Sequence, residues 1–337
     1  MTTPLAYSIK THQPGARVDY LVFAGTEGIL AKNPYVDRVI GMPRGSRSPG
    51  VIASLWNRYD VALSTNPSDR MTLFGSIAGK RSYGLLQDVP AEWWKKLLLT
   101  GWLRYDDSNH VVPGVLSLLD SLGIPKLPRV VMGFDADDES FVSARLAGGP
   151  YVVLHPYSRG ACKFWDAEKW GALAGLIHDR LGLRTLFTVT PDPADRAFLE
   201  RIAEAAPTRI EWFSELFSLN QLAAAIKGSA AYVGIDTAAT HIAAAVGTPT
   251  VAVFGPTLTR YWAPWPNDCR ERSPFSTGKG VQRVGNVTVV QKPWECVPCN
   301  RESCAISQRG KMECLEETTP EEVFREVKDH VGQHHRK

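Results

Sequence analysis

The sequence has no apolar run near the roughly 20 residues that span a bilayer, so no membrane-spanning helix is expected. Its opening, MTTPLAYSIKTHQPGARVDYLVF, lacks the basic stretch followed by an apolar core that marks a secretion signal. A strong charge of either sign is missing too. Thirty-eight Lys and Arg against 35 Asp and Glu leave +3, too little to argue for a nucleic acid partner. There is no internal repeat and no low-complexity tract. Cysteine is sparse: six thiols in 337 residues fit a reducing cytoplasm better than a disulfide framework. What remains is a chain of ordinary globular composition, 44% hydrophobic and 22% charged, long enough for two domains of about 100–200 residues each.

Short β-branched or apolar runs read as buried strands at Val18–Phe23, Val61–Ser64, Tyr151–Leu154, Thr185–Val189, Tyr232–Ile235 and Val251–Phe254. Helical periods lie between them: Ala167–Gly182, closed by a glycine suited to a C-cap, then Pro193–Pro207 and Ser218–Ser229. Strands separated by helices predict an α/β protein with parallel sheets and right-handed crossovers. The stretch Gly133–Pro150 is polar with glycines near its ends, and a strand restarts at Tyr151. The expected organisation is an N-terminal domain over 1–145, a C-terminal domain over 150–318 and a terminal helix over 319–337 capped by Thr319. Two Rossmann-like halves facing across a cleft would bind ligands at the carboxyl ends of strands, where His155, Thr190 and Asp236 fall.

GIDTAATHIAAAVG ends a strand on Asp236 and opens a helix with Thr237 and residues small enough to let a ligand reach the backbone. The unpaired amides and positive dipole end of such a helix attract anions. Ala238, Ala239 and Thr240 keep the approach open, and His241 faces the same side one turn on. The plainer reading is a helix capped by Asp236 or Thr237 with a satisfied buried histidine. A second cluster favours the anion site: the loop in VVLHPYSRGACKFWDAEKW carries Ser158, Arg159 and Lys163 between a strand and a helix. Hydroxyl and cationic donors there can neutralise a diphosphate leaving group. Arg159 by itself reads better as a solvated charge.

HPYSRGACKFW…KW and GIDTAATHIAAAVGTPTVAVFGPT together resemble glycosyltransferase family 9, the lipopolysaccharide heptosyltransferases. The likeness runs over most of the chain. TTPLAYSIKTHQPGARVDYLV and ILAKNPYVDRVIG resemble the family's N-terminal domain; YWAPWP and CVPCNRESCAISQRGKMECL resemble its heptosyltransferase III branch. The resemblance implies a GT-B fold and inverting, metal-independent transfer from ADP-heptose, with no cofactor required. It implies an acceptor heptose on lipid A–Kdo. Ser158 and Lys163 would grip the diphosphate, Lys163 stabilising the leaving group. Asp236 would meet the sugar hydroxyls; Thr237, the backbone of Ala238 and His241 complete the donor motif. Phe217 would cover the adenine, and Asp192 or Asp195 would hold the ribose.

Two departures stand out. The family motif has Gly where this chain has Ala238, whose methyl would crowd a phosphate or restrict φ. Family members also open with a strand ending in a Gly-Asp pair before the TTP helix, whereas this sequence starts at Met1-Thr2-Thr3-Pro4, inside that motif. The expectation is a first strand missing from the N-terminal domain, and with it the family's Asp as general base, so that the chain binds donor and turns over poorly. Rival expectations are a GT-B transferase using a UDP- or GDP-sugar, a non-catalytic nucleotide-sugar-binding protein, and a zinc-stabilised interaction module.

Other features carry weaker readings. Cys296, Cys299, Cys304 and Cys314 could hold a structural zinc ion, or be reduced thiols in a loop; Cys162 and Cys269 read as free thiols. Pro90–Tyr105, with three tryptophans among Lys95, Lys96 and Arg104, suits either peripheral contact with the inner membrane leaflet or a partly buried helix. Arg44, Arg47, Lys80 and Arg81 are candidates for acceptor phosphates or Kdo carboxylates, each singly more often a surface charge. Asp135–Asp137 has the form of a metal-binding D-x-D and reads as helix capping.

Overall fold

A computed structural model describes residues 1–45, 49–267, 269, 271–307 and 310–334. The chain divides into two compact units, Met1–Val131 and Met132–Lys337. The division falls earlier than the sequence suggested. Helix Ala136–Arg145, expected in the first domain, packs in the second unit, where the Asn220 side chain donates to the Gly133 carbonyl at 2.6 Å.

The first unit opens with α1 (Thr3–His12), entered at Thr2 with a proline in its first turn, the position where a missing N–H costs nothing. Strands β1 (Asp19–Phe23) and β2 (Arg38–Met42) pair in parallel. A second parallel sheet has the order β3 (Tyr59–Ser64), β4 (Gly79–Leu86), β5 (Gly101–Arg104). Helices α2 (Pro49–Leu55), α3 (Asp69–Ala78), α4 (Trp93–Leu98) and α5 (Val111–Leu116) follow or separate these strands. Met42, Leu55, Phe74 and Ala78 form a buried cluster between strand and helix layers.

The second unit begins with α6 (Ala136–Arg145). Asp135 and Asp138 form a reciprocal capping box at its start, so the D-x-D caps a helix as expected. Strands β6 (Tyr151–His155), β7 (Arg184–Phe187), β8 (Glu211–Trp212), β9 (Ala231–Ile235), β10 (Thr250–Val253), β11 (Gln282–Val284) and β12 (Val287–Val290) form, among the described residues, a sheet ordered β11-β12-β10-β9-β6-β7-β8. All neighbours are parallel except β11 on β12. Apart from that antiparallel edge, the order is 3-2-1-4-5-6 counted from β6, the doubly wound nucleotide-binding arrangement. β6, β9, β10 and β12 are buried at every residue, as parallel strands covered on both faces must be.

The covering helices are α7 (Ala167–Leu181), α8 (Pro193–Ala205), α9 (Leu219–Lys227), α10 (Ala238–Ala245), the short α11 (Thr259–Trp262) and α12 (Glu313–Glu316), and α13 (Pro320–His334). Gly182 ends α7 in the left-handed region at φ 64°, the predicted C-cap. Thr319 accepts from Glu322 at the start of α13, as foreseen, while the last residues, 335–337, lie outside the described residues. α13 packs on α7 and on β9, β10 and β12, so the terminal helix belongs to the second unit's core.

Candidate functional site

In the second unit the chain leaves β6 in one direction toward β7 and β8, and in the other toward β9 and β10. The carboxyl ends of β6 and β9 therefore flank the point where strand order reverses, and a crevice for ligands opens there. Both sequence clusters arrive at this place. Lys163, in the loop after β6, meets Asp236, at the end of β9, with Nζ 2.6 Å from Oδ2. The contact is ionic rather than well directed, because Oδ2 has no properly angled donor among the described residues. Asp236 is buried and Lys163 half-buried, so the pair lies at the boundary between core and solvent. Ser158 ties the same two elements: its Oγ lies 3.5 Å from the Asp236 carbonyl and accepts the Gly160 amide at 3.4 Å. Arg159 is exposed, in keeping with a solvated charge.

α10 starts directly after Asp236. Its N-cap, Thr237, is extended (φ −157°, ψ 169°) and makes no side-chain cap bond, which leaves the first amides without an internal acceptor. Asp236 does not cap the helix either, so the plainer capping reading fails at this end. Thr240 is turned inward, donating to the Ile235 carbonyl at 2.5 Å and meeting the Tyr232 hydroxyl at 3.0 Å. It locks the helix to β9 and is not part of the open approach. His241 keeps its Nδ1 buried without a partner among the described residues, and burial above all holds its pKa down at about 3, with the Lys163 charge a smaller contribution in the same direction. Ala238 is the first residue of α10, and among the described residues the non-glycine ones at positive φ are Asn57 and Asn300. Its methyl therefore brings no backbone strain, and the departure from glycine is a matter of space alone.

The ends of β6, β7 and β8 border a cavity of about 270 Å³, which reaches Tyr157, the residue before Ser158. Its walls include Tyr157, Thr190, Asp192, Arg196, Phe213 and Leu216. His155, at the end of β6, is buried: its Nδ1 lies 2.8 Å from Thr188 Oγ1, and burial lowers its pKa to about 4. Tyr157 donates to the Thr188 carbonyl at 3.1 Å, which fixes the wall next to Ser158. The two candidate carboxylates separate here. Asp192 lines the cavity, with Oδ1 capping α8 through the Ala194 amide at 2.9 Å. Asp195 accepts from Thr190 Oγ1 at 2.6 Å, faces a neighbouring hollow, and has its pKa raised by burial. Phe217 is not in the cavity wall. It stacks on Phe213, ring centroids 4.3 Å apart, and packs edge-on to Phe141. Phe213, Leu216, Tyr157 and Arg196 were not singled out by sequence. Only the proximity of Phe213 to Phe217 in the same FSELF segment, one helical turn's spacing apart, hinted at them.

The remaining candidates lie elsewhere. Among the described residues no three His, Cys, Asp or Glu side chains gather as a metal set. Cys296 is exposed and Cys314 buried; burial first, with nearby Cys299 and Cys304, raises the Cys314 pKa to about 11, which favours the thiol. Lys80 pairs with Asp60 at 2.9 Å, Arg44 stacks near Phe23, Arg81 is exposed, and Arg47 lies outside the described residues. No helix among the described residues is long and apolar enough to cross a membrane.

With that geometry in place, the comparisons with known proteins agree on one group. A family profile described as Glycosyltransferase family 9 (heptosyltransferase) matches residues 54–278. The lipopolysaccharide heptosyltransferase 3 of Escherichia coli is 28% identical over 286 residues, 80% of this chain and 83% of that protein. Among solved structures, the family 9 glycosyl transferase of Veillonella parvula superposes with a TM-score of 0.78 at 17% identity, over 98% of this chain and 93% of that one. The E. coli heptosyltransferase WaaC with ADP gives 0.71 at 20% identity, over 98% and 95%. These likenesses make the fold that of the GT-B heptosyltransferases.

Proposed function

This chain belongs to glycosyltransferase family 9, and from that membership we propose that it moves a heptose from ADP-heptose to the inner core of lipopolysaccharide. The observation that carries the reading is the meeting of Lys163 and Asp236 at 2.6 Å, at the start of the uncapped helix α10, with the 270 Å³ cavity at the ends of β6, β7 and β8. One cation, one carboxylate, free amides and an aromatic-walled hollow are the parts a nucleoside diphosphate sugar needs. The similarity to a structure holding ADP supports the choice of nucleotide.

In this reading the adenosine occupies the cavity against Phe213, with Phe217 stacked behind, and Asp192 rather than Asp195 takes the ribose hydroxyls. The diphosphate lies over the first amides of α10, between Thr237 and the Ser158–Lys163 loop, and Asp236 accepts from sugar hydroxyls. The acceptor oxygen forms its bond to the anomeric carbon as the bond to the β-phosphate breaks, inverting the centre and releasing ADP. Lys163 and the helix amides carry the charge developing on the leaving phosphate, without a metal ion, in a site where such preorganised charge is the largest catalytic term. His241, held neutral, can share a hydrogen bond there without adding charge. The acceptor hydroxyl gives up its proton to solvent water as the new bond forms. The acceptor is a heptose of lipid A–Kdo, and the enzyme works in the cytoplasm at the inner leaflet.

The test is transfer itself: ADP release and product mass with ADP-heptose and a heptose-bearing inner-core acceptor. Wild type is expected to turn over, and Lys163→Ala to lose about 10²–10³ in kcat. Turnover with a UDP- or GDP-sugar in place of ADP-heptose would reassign the donor. ADP binding without transfer would leave a nucleotide-sugar-binding protein.

A further inference from the structure

α4 in the first unit is packed the wrong way round for stability alone. Lys95 is turned inward, its side chain 3% exposed, and bound at 2.6 Å to Glu92, at 2.8 Å to Asp69 and at 2.6 Å to the Pro67 carbonyl. Trp94 is half-buried beside it, but two other apolar residues of the helix are turned outward: Trp93 is 64% and Leu97 75% exposed, one turn apart on a single face. Burying lysine and displaying tryptophan and leucine inverts the usual preference. Only Leu99, past the helix end, packs inward, filling the space over Gly84, whose Cβ would stand 2.9 Å from it.

The next strand continues the display. On β5, Trp102 and Arg104 are exposed on the same face, and Lys96 sits over the Trp102 ring at 4.1 Å. Val89, before α4, is exposed as well. The result is an apolar and aromatic surface edged by Lys96 and Arg104. The unit that carries it is the basic half of the molecule. Residues 1–131 hold 15 Lys and Arg against 10 Asp and Glu, while residues 132–337 hold 23 against 25.

We propose that Trp93, Leu97 and Trp102 form a docking face that inserts into the headgroup region of an anionic lipid bilayer. Tryptophan suits that depth, with its ring among acyl ends and its N–H in the wet layer. Arg104 can reach past the rings to acidic headgroups, Lys96 is paired with Asp88 at 2.8 Å, and the unit's net positive charge adds attraction within a Debye length. Exposed apolar side chains grouped on α4 and β5, joined through Lys96, call for a partner, and the unit's charge balance selects a negative one. The proposal deepens the reading above, since it rests on a lipid-borne acceptor, by naming the face that meets the membrane.

Vesicle flotation of the full chain tests it, using phosphatidylglycerol–phosphatidylethanolamine vesicles against phosphatidylcholine alone. The chain is expected to float with the anionic vesicles, more weakly with the neutral ones, and with tryptophan emission shifted to the blue. Trp93→Ser with Leu97→Ser is expected to lose at least about tenfold in partitioning. Arg104→Gln is expected to lose less, and only at low salt. ADP-induced stabilisation, measured on the same samples, reports whether the donor site is intact, so failure to dock and failure of the transferase reading are distinguishable. A chain that stays in solution with anionic vesicles, or a double variant that floats as well as wild type, overturns the proposal. So does a wild-type dimer that the double variant breaks, which would make the face a contact between copies.

Discussion

At the scale of single residues the site is economical. Lys163 and Asp236 each hold the other's charge at the edge of the core, so changing one exposes the other to an unpaired, partly desolvated state. Lys163→Ala is therefore expected to weaken stability and to reduce kcat, whereas Lys163→Arg keeps the charge and is expected to recover part of the rate. Thermal melts read alongside turnover separate the two effects. His155 supplies a pH prediction. Burial lowers its pKa to about 4, against roughly 6.5 in an unfolded chain, so on acidification the unfolded chain takes up the proton first. Its contribution to stability is complete above about pH 6.5 and declines as pH falls toward 4, by at most about 1.4 kcal/mol per pH unit. Denaturant unfolding of wild type and His155→Gln between pH 7 and pH 5 checks this; the variant is expected to give the flatter profile. Sequence proximity could name Ser158, Lys163, Asp236 and Thr237, because each lies in a strand-end motif. It could not choose Asp192 over Asp195, or Phe213 over Phe217, because only the path of the loop decides which side chain faces the cavity.

At the scale of elements the account turns on how β9 launches α10. Gly234 has no room for a side chain: an added Cβ would lie 2.3 Å from the Tyr232 hydroxyl and 2.8 Å from Thr240 Oγ1. Those two groups form the hydrogen bond that holds the first turn of α10 against β9. Gly234→Ala is expected to cost about 1–3 kcal/mol by overpacking and to raise the Kd for ADP by shifting α10; calorimetry and nucleotide titration of one sample measure both. The buried strands of this unit were plain in the sequence, since Tyr151–Leu154, Tyr232–Ile235 and Val251–Phe254 are apolar throughout and β6, β9 and β10 sit there to within a residue. Others were less visible for identifiable reasons. β4 carries exposed Lys80 and Arg81 directly after its first residue, Gly79, and gives up a side chain at Gly84 to admit Leu99. β8 has two residues, too few for any periodicity. The β11–β12 hairpin does carry a signal, the Gly285–Asn286 turn with Gly285 at φ 56°, but its strands are short and sit outside the strand–helix alternation.

At the scale of the molecule, the residues proposed to hold the donor all belong to one folding unit: Tyr157 through His241 lie within Met132–Lys337. The other unit carries the excess of positive charge and the two most exposed tryptophans, Trp56 and Trp93. The α/β class was readable from alternation along the chain, whereas the place of α6 was not, because its first-turn carboxylates resemble a linker until the Asn220 contact is known. Donor and lipid are thus assigned to different halves, and a ligand for the first is expected to stabilise the second unit. The most direct measurement is the melting transition of that unit with ADP, UDP and GDP, each at high excess, for wild type and Lys163→Ala. At 100 times Kd a ligand adds about 2.7 kcal/mol, a rise of a few degrees. The account predicts that rise with ADP, little with UDP or GDP, and its loss in Lys163→Ala. A rise that survives the substitution, or none with any nucleotide, would contradict the claim that the meeting of β6 and β9 is a diphosphate site.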